Sequence, residues 1–265
     1  MYATNYHRAF SVADAVRLKG SGDETKYVSG GMTLIPTMKQ RLAAPSDLVD
    51  LRHVAEMKGI TVSGATVRIG AATTHAEVAS SAEIKAACPA LSHLASLIGD
   101  PHVRHMGTVG GSVANNDPAA DYPSAMLALG ATIVTDRRRI VADDFFTGLF
   151  ETALHDDEII VAVEFEAPEK AGYSKFPNPA SRYAMTGVFV AKSAGGVRVG
   201  VTGAGSDGVF RHSGMEQALA GNFSPDALSG VTTDPADMLS DLHGSAEYRA
   251  NLVNVMARRA VAAAT

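Results

Sequence analysis

The chain has 265 residues, of which 46% are hydrophobic, and a formal net charge of −5. That is enough apolar material for one large domain or two to three small ones. Nucleic-acid binding is excluded as a reading, because Arg137-Arg138-Arg139 is the one basic run and reads as a solvated hairpin tip. The single cysteine, Cys88, excludes an internal disulfide and a resident iron–sulfur cluster, which needs several thiolates.

Ser11 is a helix N-cap with Asp14 in the first turn and Gly20 at the end. Lys26 to Ser29 reads as a short strand, Thr33 to Leu42 as a helix with Pro36 in its first turn, and Asp47 to Leu51 as a returning strand. Gly59 to Ala71 alternates around Ser63-Gly64 as a hairpin does. Helices follow over Thr74 to Ser80 and Ala90 to Ile98, the second closed by Gly99. Cys88, before Pro89, reads as a buried small hydrophobe. Asp121-Tyr122-Pro123 opens a helix that runs to Leu129 and stops at Gly130. Strands are expected over Ala131 to Asp136 and Asp157 to Glu166, then a hinge at Pro168 to Gly172. Tyr183 to Ala191 and Val197 to Thr202 are strand-like. Ala246 to Ala263 is an amphipathic helix, with Tyr248, Leu252, Val255, Met256 and Val261 at helical spacing. No apolar run approaches the roughly 18 residues of a membrane span, and Met1 to Asn5 is too polar for a signal peptide; a cytoplasmic protein is expected.

Two segments carry the chemistry. Val28-Ser29-Gly30-Gly31-Met32-Thr33 and Thr108-Val109-Gly110-Gly111-Ser112 each set a Gly-Gly pair and hydroxyl residues between an apolar stretch and a helix. Glycine admits positive φ and close backbone approach. Consecutive free N–H groups form an anion-binding concavity. Two concavities suit a diphosphate held from both sides by neutral donors. Gly203-Ala204-Gly205-Ser206-Asp207-Gly208 matches G-x-G-x-x-G, yet no helix start or second nucleotide-binding strand follows it. It reads as a turn closing a small antiparallel sheet.

Ser29-Gly30-Gly31-Met32-Thr33-Leu34-Ile35-Pro36-Thr37-Met38-Lys39-Gln40-Arg41-Leu42 and Thr108 to Ser112 with Asp117-Pro118-Ala119-Ala120-Asp121 resemble the two flavin-cradling segments of the FAD-binding medium subunits of molybdenum hydroxylases, the carbon monoxide dehydrogenase type in particular. The resemblance runs from about Tyr6 to about Ala260. It implies an α+β chain. A PCMH-type FAD-binding domain of two α/β subdomains (about 1–56 and 57–167) precedes a small C-terminal α+β domain (172–265) with an antiparallel sheet.

By the same resemblance FAD is held non-covalently. Its diphosphate lies between Val28 to Thr33 on one side and Thr108, Val109, Gly110, Gly111, Ser112 and Ala114 on the other. Asp121 matches an aspartate that bonds hydroxyl groups of the FAD, and it is equally placed to cap the Pro123 helix. Asn115 and Asp117 either order the loop or touch ribose, and Asn-Asp-Pro is turn chemistry. Ile160 matches a position over the adenine part and Ile98 one close to the isoalloxazine; either is equally a packing residue. Tyr173-Ser174-Lys175-Phe176 and Arg182-Tyr183-Ala184 resemble the start of the family's C-terminal domain. There Lys175 reaches the flavin or its diphosphate, or is a surface lysine, and Tyr183 covers the isoalloxazine. His102 and His105 are read as loop residues, not as covalent flavin ligands.

Nothing in the sequence resembles a substrate site: there is no nucleophile elbow and no carboxylate pair of catalytic spacing. The family implies an electron-transfer subunit. A large molybdopterin subunit and a small subunit with two [2Fe-2S] clusters would join it in a dimer of heterotrimers, and FAD would pass electrons to an external acceptor. The alternatives are the FAD subunit of an aldehyde, xanthine or N-heterocycle dehydrogenase, a stand-alone flavin oxidase, and a non-catalytic nucleotide-binding module.

Overall fold

The structure is a computed structural model, and residues 1–20, 22 and 24–265 are described. The first unit is a βαβαβ run: β1 (Asn5–Arg8), α1 (Val12–Lys19), β2 (Thr25–Val28), α2 (Leu34–Lys39) and β3 (Asp47–Asp50). Its three strands pair in parallel in the order β1-β3-β2. Ser11 caps α1 by accepting from the Asp14 N–H. β1 was not expected. Its four residues are polar or half-exposed and carry no apolar alternation. It is held instead by its ladder to β3, by Tyr6 Oη donating to Asp50 at 2.5 Å, and by His7 Nε2 2.6 Å from Asp47.

The second unit contains β4 (Ile60–Ser63), β5 (Thr66–Gly70), α3 (His75–Ser80), α4 (Ala82–Ala87), α5 (Pro89–Ser96), α6 (Pro101–Met106), α7 (Val109–Asn115) and α8 (Tyr122–Ala128). It continues with β6 (Thr132–Thr135), β7 (Arg139–Val141), α9 (Ala142–Phe145), the small pair β8 (Phe146–Gly148) and β9 (Glu151–Thr152), and β10 (Ile160–Glu166). Five of its strands make an antiparallel sheet in the order β4-β5-β10-β6-β7. Gly64 turns the first hairpin at φ +61°. Thr74 and Glu77 form a capping box at the start of α3, and Cys88 is fully buried, with its thiol pushed up to about 12 by burial. α6 corrects the loop expected around His102 and His105. Asp100 caps it by accepting from the Val103 N–H, and Pro101 is its first residue.

The third unit is an antiparallel sheet, β11 (Lys170–Pro177), β12 (Ala184–Ser193), β13 (Gly196–Thr202) and β14 (Phe210–Arg211), with α10 (Ser213–Gly221) and α11 (Ala246–Ala262) packed on it. The hinge expected at Pro168 to Gly172 is not a hinge. Lys170 to Gly172 pair with Val190 to Lys192 in register, and Ala171 exchanges both backbone hydrogen bonds with Thr265. Gly172 is there for close approach: a Cβ would fall 1.9 Å from Ala260 O of α11. Gly203 and Gly208, at φ +82° and +102°, lie in the turn between β13 and β14, as the antiparallel reading of that glycine run required. The basic run Arg137 to Arg139 does sit at the β6–β7 turn, but each guanidinium has a carboxylate: Asp157, Glu158 and Glu164 respectively.

Candidate functional site

A cavity of about 880 Å³ opens where the three units meet. Its wall takes in Val28 to Thr33 from the loop between β2 and α2, and Thr108, Gly110, Gly111, Ser112, Ala114 and Asn115 from the start and inner face of α7. Ile98, Asp117, Asp121, Ile160 and Tyr183 complete the set of expected residues that line it. Two expected residues do not. Val109 is fully buried and faces away. The Lys175 side chain is 3% exposed, and its ammonium is turned to Asp121 at 3.0 Å and to the Leu97 carbonyl at 3.2 Å. It is neither a surface lysine nor a cavity residue.

The two glycine segments touch each other. Gly30 packs so tightly on the backbone before α7 that a Cβ would stand 2.1 Å from Met106 O and 2.7 Å from Gly107 Cα. Thr108 Oγ1 donates to Ser29 Oγ at 3.2 Å across the same seam. Gly31 follows at φ +70°, a conformation that costs an L side chain about 1–2 kcal/mol. In this bend the N–H groups of Ser29, Gly30, Gly31, Met32 and Thr33 have no acceptor among the described residues, while all five residues line the cavity. A row of consecutive unpaired amides is the kind of concavity that suits an anion.

The second segment does not mirror the first. Its donors are engaged by the protein: Val109 N–H on Thr73 O at 3.0 Å, Gly110 N–H on Ala71 O at 2.8 Å, Gly111 N–H on Thr108 Oγ1 and Ser112 N–H on Thr108 O. The reason is local. Thr108 is the N-cap of α7, and Gly110 lets the first turn lie directly on the chain leaving β5, where a Cβ would meet Ala71 Cβ at 2.4 Å. This segment shapes the wall and offers hydroxyls; the first offers amides. Gly30 and Gly110 are therefore glycines of contact, and among the two pairs only Gly31 is a glycine of positive φ.

Asp121 occupies the N-cap position of α8 without capping it. Its carboxylate accepts from Tyr173 Oη at 2.5 Å and from Lys175 Nζ at 3.0 Å. Burial pushes its pKa up, and the adjacent ammonium and phenol oppose that. The aspartate thus ties α8 to β11 at the cavity wall. Asp117 makes an Asx-type turn, accepting from the Ala119 N–H at 2.9 Å, and burial raises its pKa also. Tyr183 is 49% exposed and sits in the turn between β11 and β12, just ahead of the strand that was expected to contain it. Arg182, beside it at φ +63°, lines the cavity too. Glu158 lines the far wall, bound bidentately by Arg138 at 2.9 and 2.8 Å, which holds its carboxyl at about 2.

Three residues escaped the sequence reading. Asn116, at φ +41°, fixes the loop after α7 to the β8–β9 turn through its Nδ2, which donates to Gly148 O and Glu151 O. Arg182 had no signal beyond its neighbour Tyr183. His75 is a lone histidine at the start of a helix, yet it is buried, lines the cavity and packs on Tyr122 with ring centroids 5.3 Å apart. His102 and His105 stand on α6 and do not line the cavity. No cluster of three or more His, Cys, Asp or Glu able to hold a metal exists among the described residues, and no described helix is long and apolar enough to cross a membrane.

Residues 2–168 match the family described as FAD binding domain in molybdopterin dehydrogenase. The chain is 33% identical to the carbon monoxide dehydrogenase medium chain of Hydrogenophaga pseudoflava, over 98% of this chain and 96% of that one. It is 34% identical to the nicotine 6-hydroxylase medium subunit of Paenarthrobacter nicotinovorans, again over 98% and 96%. A solved carbon monoxide dehydrogenase from Hydrogenophaga pseudoflava, lacking the Mo-pyranopterin moiety of its molybdenum cofactor, superposes with a TM-score of 0.87 at 34% identity, covering 99% of this chain and 97% of that one.

Proposed function

This chain belongs to the FAD-binding medium subunits of molybdenum hydroxylases, and we propose that it carries electrons from partner [2Fe-2S] clusters through a non-covalently bound FAD to an external acceptor. The observation that carries this reading is the bend at Ser29 to Thr33, with five unpaired amides on the wall of a cavity of cofactor size. The residues present fit FAD. Ser29 to Thr33 would take the diphosphate through neutral donors, with Thr33 and Ser112 adding hydroxyls. Asp121 would remain tied to Lys175 and Tyr173, leaving one edge of its carboxylate toward the cofactor's hydroxyl groups. Ile160 would lie against the adenine side, and Ile98 and Tyr183 against the isoalloxazine.

FAD, when bound, supplies the redox chemistry, exchanging electrons singly or in pairs. The chain's part is to bind it, orient it and limit access to it. In this reading the residues lining the cavity hold the cofactor, and the substrate is oxidised on a partner subunit. The partners in this reading are a large molybdopterin subunit and a small iron–sulfur subunit, in a dimer of heterotrimers. The carbon monoxide dehydrogenase type is the first choice for the whole enzyme, with an N-heterocycle hydroxylase close behind, since the nicotine 6-hydroxylase subunit is equally similar.

Co-purification tests the assembly. Two partner chains with molybdenum and iron are expected, and a substrate screen on that complex then separates carbon monoxide from aldehydes, purines and other N-heterocycles. The isolated chain should reduce dyes from an artificial donor but turn over none of these substrates. Turnover by the metal-free single chain would replace this reading with a self-contained oxidase.

A further inference from the structure

His75 has no role in the reading given above, and its surroundings are unusual for a buried histidine. It is the first residue of α3, 5% exposed, with its backbone N–H on Gly107 O at 3.0 Å. No hydrogen bond joins either ring nitrogen to a described residue. Nδ1 is sealed from solvent. Nε2 lies over Gly107, so close that a Cβ there would stand 2.6 Å away, and the residue lines the cavity. Tyr122 Oη, on the ring packed against the imidazole, is likewise buried without a partner. Buried polar atoms normally have partners; of the two ring nitrogens Nδ1 is the sealed one, which leaves Nε2 as the atom open to a group in the cavity.

We propose that His75 is a positioning residue for the bound dinucleotide, presenting a neutral imidazole whose Nε2–H donates a hydrogen bond to an acceptor atom of the FAD. The inference rests on the FAD reading above. Burial, with the Arg104 charge nearby, holds the imidazole pKa down to about 4, so the ring is neutral at physiological pH. The tautomer follows from the surroundings. A buried, unpaired N–H costs more than a buried, unpaired lone pair, so Nδ1 keeps the lone pair and Nε2 carries the proton. Gly107, which has no Cβ, leaves room for Nε2 beside the backbone at the cavity wall. Tyr122 packs against the ring.

The test is an FAD titration of the full chain, made as apoprotein, in wild type, His75→Phe and His75→Gln. His75→Phe removes the donor and keeps the ring packing; it should weaken FAD binding about tenfold, the worth of one hydrogen bond, with the apoprotein melting temperature unchanged or raised. His75→Gln returns an N–H near the Nε2 position and should restore affinity to within about threefold. A second measurement needs no variant. ¹⁵N-histidine NMR of the wild-type chain should show a neutral Nε2–H tautomer whose proton resonance moves when FAD is added. His75→Phe binding FAD as tightly as wild type, or an imidazole resonance indifferent to FAD, overturns the proposal alone. A wild-type chain that binds no FAD overturns the functional reading and the proposal together.

Discussion

Replacing Gly30 with alanine tests the contact between the two glycine segments. The added methyl carbon would stand 2.1 Å from Met106 O and 2.7 Å from Gly107 Cα, both backbone atoms that cannot rotate away. Overpacking of that kind costs about 1–3 kcal/mol, which for a chain of this size lowers the melting temperature by roughly 3–10 °C. The relief has to come from moving the bend at Ser29 to Thr33 away from the start of α7, which also breaks the Thr108–Ser29 hydroxyl bond. If one amide then loses its charged acceptor, the loss is about 1.5–3 kcal/mol, or roughly ten- to hundredfold in FAD affinity. Thermal melts of the apoprotein and fluorescence titration with FAD read the two effects separately. Gly221→Ala is the control, because a Cβ there meets nothing within 4 Å. A Gly30→Ala variant that melts like wild type and binds FAD with wild-type affinity would refute the seam as the organising contact of the site.

Breaking the buried pair with Lys175→Met should cost about 3–5 kcal/mol, measured by denaturant unfolding, and adding Asp121→Leu should recover part of it; a silent Lys175→Met would show that the ammonium contributes nothing there. Glu158, held at about 2 by Arg138 against an ordinary value of 4.5, adds stability that is complete above about pH 4.5 and is lost as pH falls toward 2. Glu158→Gln should therefore flatten the acid limb of the stability–pH curve and lower stability at pH 7; an unchanged acid limb would count against the pair. Tyr183→Ala should alter the flavin spectrum and raise oxygen reactivity. Its stability cost should stay below about 2 kcal/mol, because the ring is half-exposed and the 3–5 kcal/mol of a fully buried aromatic does not apply. A wild-type flavin spectrum in that variant would place Tyr183 away from the isoalloxazine.

The sequence carried much of this arrangement where backbone chemistry is local. Gly-Gly pairs flanked by hydroxyl residues located both segments, Ser11 and Thr74 marked helix starts, and Gly64 marked a hairpin, because each effect acts within a few residues. It did not carry what depends on contacts distant in the chain. β1 exists through its ladder to Asp47 to Asp50, some forty residues on, and its own residues have no apolar pattern. Gly172 looked like a hinge because glycine near proline signals flexibility, while here it admits α11 against β11. The likeness of the two glycine segments suggested two equal anion cradles, yet the amides of the second are taken by Ala71, Thr73 and Thr108. Lys175 and Asp121 lie fifty-four positions apart, so neither could be read as the other's partner.

The central claim is that the cavity between the glycine segments binds FAD without a covalent bond. Adding FAD to the full-length apoprotein, then precipitating the complex with acid, tests it most directly. The account predicts one FAD per chain, absorption bands near about 370 and 450 nm, and all the yellow colour released to the supernatant. A folded chain that takes up no flavin, or flavin that stays with the washed pellet, would contradict it.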